Sequence, residues 1–449
     1  MDAVSAPRMV KEPPGVGSKA IVGRDQKLST PAMYSHTEVA FSEGRDCWLQ
    51  DVDGNIYLDF SSGIATTNVG HCHPDVVSAI KSQSERLIHI SRHVGYYEPY
   101  VKYMEELRDA ASGALPNARV FFANSGSEAI EAALKLVRYS SRKLSVIAFT
   151  PSFHGRTMGA LSLTASKARQ RRYLTSLMPG VEHVPYPYCY RCPFGQEYPD
   201  CDLLCVNYIH DTVLQRVVSP EDVAAMVVEP IGGEAGYVIP PPEFLPRIRD
   251  LCDENDILLV IDEVQSGFGR TGKMFAVEHS GIHADLLTMG KSVGGGMPLG
   301  AMLARSELLE KWPADAHGTT FGGSPLSCVA GMATLGVLRR NKLMDNAKKV
   351  GESVMKRLAD LKARHKSIGD VRGKGLMIGV EFVKNRETRE PALDLVPAIM
   401  RESLKSGLLI ISCGISGIRI APPLTITTET ADLGIDILDQ AIAKVEGRM

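Results

Sequence analysis

The chain has 449 residues, more than one small hydrophobic core usually holds, so we expect two or three domains. Its 50 basic and 52 acidic residues leave a net charge of −2, which gives no electrostatic basis for binding nucleic acid or an anionic membrane. No apolar run approaches the roughly 20 residues of a membrane-spanning helix, and no secretory signal is evident. The nine cysteines are therefore expected to be reduced thiols in the cytoplasm.

The first predicted element is a β-hairpin over residues 47–60, with its turn at Asp53-Gly54. A polar loop follows the hairpin. Pro74 then predicts the start of an amphipathic helix, because proline is favoured in the first helical turn.

Predicted strands alternate with helices through the middle of the chain. Short apolar runs predict strands at 119–123, 144–149, 224–228, 257–261, 285–289 and 300–304. Such alternation is typical of an α/β fold whose sheet is mostly parallel and covered by helices on both faces.

The last third of the chain has a different pattern, and it suggests a division into domains. After Pro325, a long helical region leads to short strands near 377–382, 408–412 and 418–421 and to a closing helix. We therefore expect a large domain at 75–325 and a smaller α+β domain at 326–449. We assign the N-terminal segment and hairpin, residues 1–74, to the small domain.

Two motifs follow predicted strands and could bind an anionic ligand. Ser125-Gly126-Ser127 stands at the start of a helix, where backbone amides can bind phosphate, although serine is also an ordinary N-cap. In the second motif, Phe153 could stack on a ring and Arg156 could bind a carboxylate. A packed phenylalanine and a surface arginine explain the second motif equally well.

An acid and a lysine follow two further strands. Asp262 directly follows the strand at 257–261, and Lys291 comes two residues after the strand at 285–289. The carboxyl ends of strands in an open α/β sheet face the crevice that binds ligands. Pyridoxal 5′-phosphate needs both groups, because its aldehyde forms a Schiff base with lysine and its ring nitrogen pairs with an acid.

The glycine pattern GFGRTG, from Gly267 to Gly272, raises the alternative of an NAD-dependent oxidoreductase. Acidic and polar residues separate it from the preceding strand, and no clear helix opens at Gly272. Asp285 begins the next strand, whereas the dinucleotide fingerprint needs an acid at a strand end. These departures make a dinucleotide site the weaker interpretation.

Cysteine and histidine clusters raise the question of a metal. His71-Cys72-His73 is explained as well by a polar loop that enters the helix at Pro74. A Pro-rich loop holds four cysteines that could bind zinc or an iron–sulfur cluster: Cys189, Cys192, Cys201 and Cys205. The two pairs are closer together than in common zinc ribbons, so we expect free thiols or a disulfide and no metal.

Seven motifs in this order closely resemble the class III aminotransferases of pyridoxal-phosphate fold type I. They are NSGSEAIEAALKLVR, FHGRT, EPIGGEAGY, DEVQSGFGRTGK, GKSVGGGMPLGA, HGTTFGGSPLSC and IRIAPPL. The resemblance implies a homodimer or tetramer with the active site at the subunit interface. It departs from the family at EPIGGEAG, where EPxQGEGG is usual, and at GGSP, where GGNP is usual.

The resemblance also implies the roles of individual residues. Lys291 would hold the cofactor and move the proton, Asp262 would pair with the pyridine nitrogen, and Thr320 would reach the phosphate from the neighbouring subunit. The full set of implied cofactor contacts is Ser125, Gly126, Ser127, Phe153, His154, Glu229, Asp262, Val264, Gln265, Lys291 and Thr320.

Four residues carry the expectation about the substrate. In family members that use glutamate and an ω-amino acid in turn, an arginine matching Arg419 binds the α-carboxylate of glutamate. A glutamate matching Glu234 neutralises that arginine when the other substrate is bound, and Arg156 would hold the distal carboxylate. Ile64 stands where ornithine aminotransferases carry a tyrosine, which favours a 4-aminobutyrate type.

The sequence thus predicts transfer of an amino group from an ω-amino acid, with 4-aminobutyrate favoured, to a 2-oxo acid, 2-oxoglutarate. An amino-acid racemase of the same family remains an alternative, since it would share the lysine, the acid and the phosphate site. Ornithine or N-acetylornithine also remains a possible donor.

Overall fold

The computed structural model describes residues 4–174 and 177–448. The strands of this part of the chain are β1 (Phe41–Arg45), β2 (Trp48–Asp51), β3 (Ile56–Asp59), β4 (Ala118–Ala123), β5 (Ser145–Thr150), β6 (Val181–Pro185), β7 (Val223–Val228), β8 (Leu258–Asp262), β9 (Leu286–Met289), β10 (Gly300–Arg305), β11 (Ile368–Lys374), β12 (Met377–Asn385), β13 (Glu390–Pro391), β14 (Leu408–Leu409), β15 (Ile411–Cys413) and β16 (Gly417–Ile420).

The α-helices are α1 (Val16–Leu28), α2 (Ser62–Ala65), α3 (Pro74–Ser84), α4 (Glu98–Ala111), α5 (Gly126–Ser141), α6 (Met158–Leu163), α7 (Leu204–Tyr208), α8 (Phe244–Glu254), α9 (Ser306–Leu309), α10 (Pro325–Arg340), α11 (Leu343–Arg364), α12 (Leu395–Lys405) and α13 (Thr428–Glu446). Short 3₁₀ turns cover Ala168–Gln170, Cys189–Arg191, Pro220–Asp222, Ala276–His279 and Lys291–Gly294, and a π-helix covers Ile209–Val217.

A seven-stranded sheet forms the centre of the large region, with the order β4-β10-β9-β8-β7-β5-β6. The pairs from β9 through β8, β7 and β5 to β6 are parallel, whereas β10 runs antiparallel to both β9 and β4. Every residue of β7 is buried, as expected for a central strand covered on both faces. The predicted mostly parallel α/β sheet is confirmed.

The N-terminal hairpin pairs with the C-terminal part of the chain. Strands β1, β2 and β3 form an antiparallel sheet, and β14 joins β3 in parallel. A second small sheet contains β11, β12, β16 and β15 in that order, with β13 alongside β12. These pairings agree with our grouping of residues 1–74 with 326–449, although the division into domains remains a prediction.

The predicted elements differ from the observed ones mainly where a helix is interrupted and at the edge of the central sheet. The helical region after Pro325 is two helices, α10 and α11, because Lys342 adopts a left-handed backbone between them. Strand β6 at the edge of the central sheet was not predicted, and four of its five residues are only partly buried.

The GFGRTG segment has a structural role that differs from dinucleotide binding. It forms a loop in which the side chain of Arg270 is 0% exposed. The guanidinium donates hydrogen bonds to Asn68 Oδ1 and to the carbonyl oxygens of Leu376 and Pro422. The loop thus connects separate parts of the chain, and the dinucleotide interpretation loses its basis.

The His71-Cys72-His73 motif is also explained by local structure. His71 Nε2 lies 2.7 Å from Asp59 Oδ2, and His73 Nδ1 accepts a hydrogen bond from the Asp75 amide at the start of α3.

Within residues 4–174 and 177–448, no helix is both long and apolar enough to cross a bilayer.

Candidate active site

The sheet brings Asp262 and Lys291 to the same edge. Strands β8 and β9 are parallel neighbours, with Asp262 paired opposite Thr288, so both strands end together. Lys291 begins a 3₁₀ turn two residues after β9, with a left-handed φ of 49°. Both side chains line one cavity. The sequence-based expectation of a shared crevice at the carboxyl ends of these strands therefore agrees with the structure.

Asp262 is held in place by two hydrogen bonds. Its Oδ2 lies 2.7 Å from Nδ1 of the buried His154, and its Oδ1 accepts a bond from the Val264 amide at 3.0 Å. Burial alone would lower the pKa of His154, but the neighbouring Asp262 raises it above its usual value. The contact with His154 therefore fixes the direction of the Asp262 carboxylate.

The environment of Lys291 favours a neutral amine. Burial lowers the pKa of Lys291, Asp262 opposes this shift, and Arg419 adds to it. A neutral amine is the form that attacks a carbonyl carbon or accepts a proton.

The Ser125-Gly126-Ser127 segment lines the same cavity, at the N-terminus of α5. Ser125 acts as the N-cap, since its Oγ accepts a hydrogen bond from the Glu128 amide. A Cβ atom on Gly126 would lie 2.8 Å from Cγ1 of Val264, so only glycine fits this approach. The free amides at the start of a 16-residue helix make this wall suitable for phosphate.

Ten of the eleven predicted cofactor contacts meet at this cavity. They are Ser125, Gly126, Ser127, Phe153, His154, Glu229, Asp262, Val264, Gln265 and Lys291. The eleventh, Thr320, is exposed and does not line the cavity of its own chain. Its neighbour Thr319 accepts a hydrogen bond from the Asn124 side chain beside the Ser125 motif.

Gln265 connects the cavity to the predicted substrate residues. Its Oε1 accepts hydrogen bonds from the Tyr237 hydroxyl and from Nη1 of Arg419, both at 3.2 Å. With Oε1 engaged in this way, its amide nitrogen is the atom left to donate. A Cβ on Gly233 would lie 2.1 Å from that nitrogen, which explains the glycine at 233.

Glu234 contacts two cations. Its Oε2 lies 3.2 Å from Nη2 of Arg419, which is only 4% exposed, and its Oε1 lies 2.8 Å from Nζ of Lys167. Burial opposes ionisation of Glu234, but Arg419 and Lys167 together lower its pKa below the usual value. Sequence reasoning missed Lys167, because a lysine in the basic segment TASKARQRR carries no signal of a partner distant in sequence.

Glu229 supports the loop that carries Glu234. Its carboxylate accepts hydrogen bonds from the amides of Phe153 and Gly233, each at 3.0 Å. Burial raises the pKa of Glu229 to about 7.

Two other predicted substrate residues lie beside the cavity without lining it. Arg156 is exposed, with its guanidinium carbon 5.2 Å from the centre of the Phe153 ring. Ile64 is 44% exposed on a left-handed turn. The next residue in that turn, Ala65, accepts a hydrogen bond from Ser292, which follows Lys291.

The residues present fit pyridoxal 5′-phosphate. The cavity combines a buried amine, a carboxylate, an aromatic side chain, an aliphatic side chain and the amides of a helix start. This set matches the aldehyde, ring nitrogen, two ring faces and phosphate of the cofactor.

Comparison with known proteins identifies the family. A model of the family described as aminotransferase class-III matches residues 30–442. The chain belongs to the class III aminotransferase family. It is 39% identical to a leucine/methionine racemase from Thermococcus litoralis, over 92% of each chain. It is 37% identical to the 4-aminobutyrate aminotransferase of Escherichia coli, over 88% of this chain and 91% of that one.

A solved structure supports the same assignment. An amine transaminase from an uncultivated Pseudomonas species, determined with bound pyridoxal 5′-phosphate, superposes with a TM-score of 0.86. It is 28% identical, and the match covers 98% of this chain and all of that one, 100%. The predicted family, fold class and cofactor are confirmed: this class III aminotransferase family member is a pyridoxal-phosphate protein of the transaminase fold.

Proposed function

We propose that this protein transfers the amino group of an ω-amino acid, with 4-aminobutyrate favoured, to 2-oxoglutarate. The observation that supports this proposal best is the Glu234–Arg419 ion pair beside the Lys291 cavity. A transaminase accepts two substrates in turn at one site, and only glutamate carries a carboxylate beside its reacting amine. A buried arginine that can be neutralised by Glu234 or by substrate suits both molecules.

The roles of the cavity residues follow from their positions. When bound, pyridoxal phosphate supplies an electron sink next to the substrate amine. Lys291 Nζ would take the proton from the substrate carbon and later give it up again, and Asp262 would hold a proton on the ring nitrogen. Phe153 and Val264 would hold the ring, Gln265 would donate a hydrogen bond to its phenolic oxygen, and the amides at 126–127 would bind its phosphate.

Glu234 is proposed to exchange partners during the cycle. With 4-aminobutyrate bound, it neutralises Arg419. When the α-carboxylate of glutamate takes Arg419, Glu234 releases the arginine and keeps Lys167, which already lies 2.8 Å from its Oε1. Because one cation remains, neither substrate leaves the carboxylate unpaired, which would be costly in a mostly buried site. Arg156 is proposed to bind the distal carboxylate of either substrate, and Ile64 to exclude a second amine.

We expect Glu234→Gln to affect the two half-reactions unequally. Without the carboxylate, Arg419 is left unpaired when 4-aminobutyrate is bound but is paired when glutamate is bound. Single-turnover kinetics should show kcat/KM for 4-aminobutyrate falling about tenfold or more, with less than about a twofold change for glutamate. The exposed Glu352→Gln on α11 is the matched control. Equal losses in both half-reactions would contradict the exchange.

Lys167→Met should have the opposite effect and reduce kcat/KM for glutamate more than for 4-aminobutyrate. Glu234 would then have no second cation when it leaves Arg419, so the glutamate half-reaction should lose more activity, by about fivefold to tenfold. The 4-aminobutyrate half-reaction, in which Glu234 stays on Arg419, should change little. A selective loss with 4-aminobutyrate would show that Lys167 does not retain Glu234.

A racemase of the same family is the second candidate, and the 39% identity to a leucine/methionine racemase favours it. A panel of amino donors with 2-oxoglutarate, run beside a chiral assay of single amino acids without a 2-oxo acid, distinguishes the two. Glutamate formed from 4-aminobutyrate supports the transaminase, and glutamate formed only from ornithine or N-acetylornithine would change the donor. Inversion of leucine, methionine or alanine without an acceptor would overturn our proposal.

We further propose that the protein acts as a homodimer in which Thr320 completes the partner's phosphate site. Residues 88–96 lie against residues 318–321, with the rings of His89 and Phe321 4.6 Å apart. The surface there exposes large apolar side chains, namely Ile88, Val94, Tyr96 and Phe321. A group of exposed apolar side chains is typical of a protein–protein interface. An active enzyme that sediments as a monomer would contradict this proposal.

A further inference from the structure

Two arginines lie in one row across the sheet that contains β11, β12, β16 and β15. Arg372 of β11 is paired opposite Gly379 of β12, and Gly379 is paired opposite Arg419 of β16. Residues directly opposite each other on antiparallel strands carry their side chains on the same face of the sheet. Arg372 and Arg419 therefore project from one face, with a glycine between them.

The loop that carries Glu234 lies on that face. The carbonyl oxygen of Gly236 accepts two hydrogen bonds from Arg372, from Nε at 3.0 Å and from Nη2 at 2.8 Å. A Cβ atom on Gly379 would lie 2.7 Å from the same oxygen, so the loop passes directly over this glycine. The Glu234 carboxylate lies 3.2 Å from Nη2 of Arg419. The two arginines thus bind one loop, Arg372 through its backbone and Arg419 through its carboxylate.

The guanidinium of Arg372 is itself fixed by other groups. Nη1 lies 2.8 Å from Asp370 Oδ2 and 2.8 Å from Glu381 Oε2, and Nη2 donates a hydrogen bond to the Tyr188 hydroxyl at 2.8 Å. Together with the two bonds to Gly236, these contacts match in number the five N–H donors of a guanidinium. The Arg372 side chain is only 12% exposed. Its orientation, and with it the position of Gly236, is therefore set by β11 and β12.

We propose that Arg372 is a positioning residue that sets the substrate preference by holding Glu234 within reach of Arg419. This role rests on the proposed exchange of partners by Glu234. With 4-aminobutyrate bound, Glu234 has to stay on the buried Arg419, so the position of its backbone matters. With glutamate bound, the substrate occupies Arg419, and the flexible side chain of Lys167 can follow a displaced Glu234.

Arg372→Lys tests this role in the full-length protein with its cofactor bound. Lysine keeps a positive charge beside Asp370 and Glu381, but it lacks the planar pair of donors that binds Gly236. In hydrogen exchange measured by mass spectrometry, residues 232–238 should exchange about fivefold faster or more. In single-turnover kinetics, kcat/KM for 4-aminobutyrate should fall about fivefold, with less than about a twofold change for glutamate.

Two further variants show whether Arg372 acts through Glu234. In a Glu234→Gln background, Arg372→Lys should leave the ratio of the two half-reactions unchanged, because the carboxylate that it positions is already gone. Arg357→Lys is the matched control, since its guanidinium pairs with two aspartates between α11 and α13. It should change neither the exchange of residues 232–238 nor the ratio of the two half-reactions.

Unchanged hydrogen exchange of residues 232–238 in Arg372→Lys would overturn the proposal, whatever the amino donor is. Faster exchange with equal losses in both half-reactions would overturn it as well. An unchanged protein that does not act on 4-aminobutyrate would instead overturn the proposed function, while the exchange data would still decide whether Arg372 positions the loop. If Arg372→Lys does not fold, Tyr188→Phe removes one acceptor of the guanidinium and should change exchange and kinetics in the same direction.

Discussion

Lys291→Ala is expected to remove the yellow colour of the purified protein and reduce amino transfer by at least about 10⁴-fold. The variant loses the amine that holds the cofactor and also the base that moves the proton, and a positioned acid–base group alone contributes 10²- to 10⁴-fold. Absorbance spectra and a glutamate-forming assay measure the two effects separately. We expect folding to be retained, because alanine removes a side chain that faces a cavity.

Lys356→Ala is the matched control, since Lys356 is exposed on α11, away from the cavity. It should keep both colour and activity. A Lys291→Ala protein with an unchanged visible spectrum would show that the cofactor is attached elsewhere.

Asp262→Asn is expected to separate cofactor binding from catalysis. Lys291 is unchanged in this variant, so the visible absorbance should persist. The amide cannot hold a proton on the ring nitrogen, so kcat should fall by about 10²- to 10³-fold, the range seen when one preorganised electrostatic group is removed. The loss should appear in both half-reactions, because both need the same electron sink.

If Asp262→Asn disturbed the structure, the melting temperature would also change. His154 is hydrogen-bonded to Asp262, and a misplaced His154 would lower the melting temperature together with the activity. The exposed Asp360→Asn serves as the control. Near-normal kcat in a folded Asp262→Asn protein would remove Asp262 from the mechanism.

Much of the arrangement of the candidate site was predictable because it depends on the ends of strands. Hydrophobic runs fixed where β8 and β9 end, and parallel pairing then placed Asp262 and Lys291 at one edge. The same reasoning placed Ser125 at the start of α5, because small capping residues follow an apolar strand there.

The unpredicted features depend on partners distant in sequence. Lys167 reaches Glu234 across 67 positions, and nothing local distinguishes it from a surface lysine. The pairing of β14 with β3 joins residues about 350 positions apart through two-residue contacts, too short for periodicity to indicate. Helix α1 buries only Ser18, so it presents no apolar stripe from which a helix could be predicted.

The buried guanidinium of Arg270 limits how this protein can move. It binds Asn68 and the carbonyls of Leu376 and Pro422, and burial lowers its pKa to about 10. Swinging the C-terminal strands away from the central sheet would strip a desolvated cation of its acceptors, which costs several kcal/mol. We therefore expect the backbone around Arg270 to keep its position relative to both the central sheet and the C-terminal strands. Exchange of substrates would then proceed through rotation of side chains such as Glu234, while the backbone keeps its conformation.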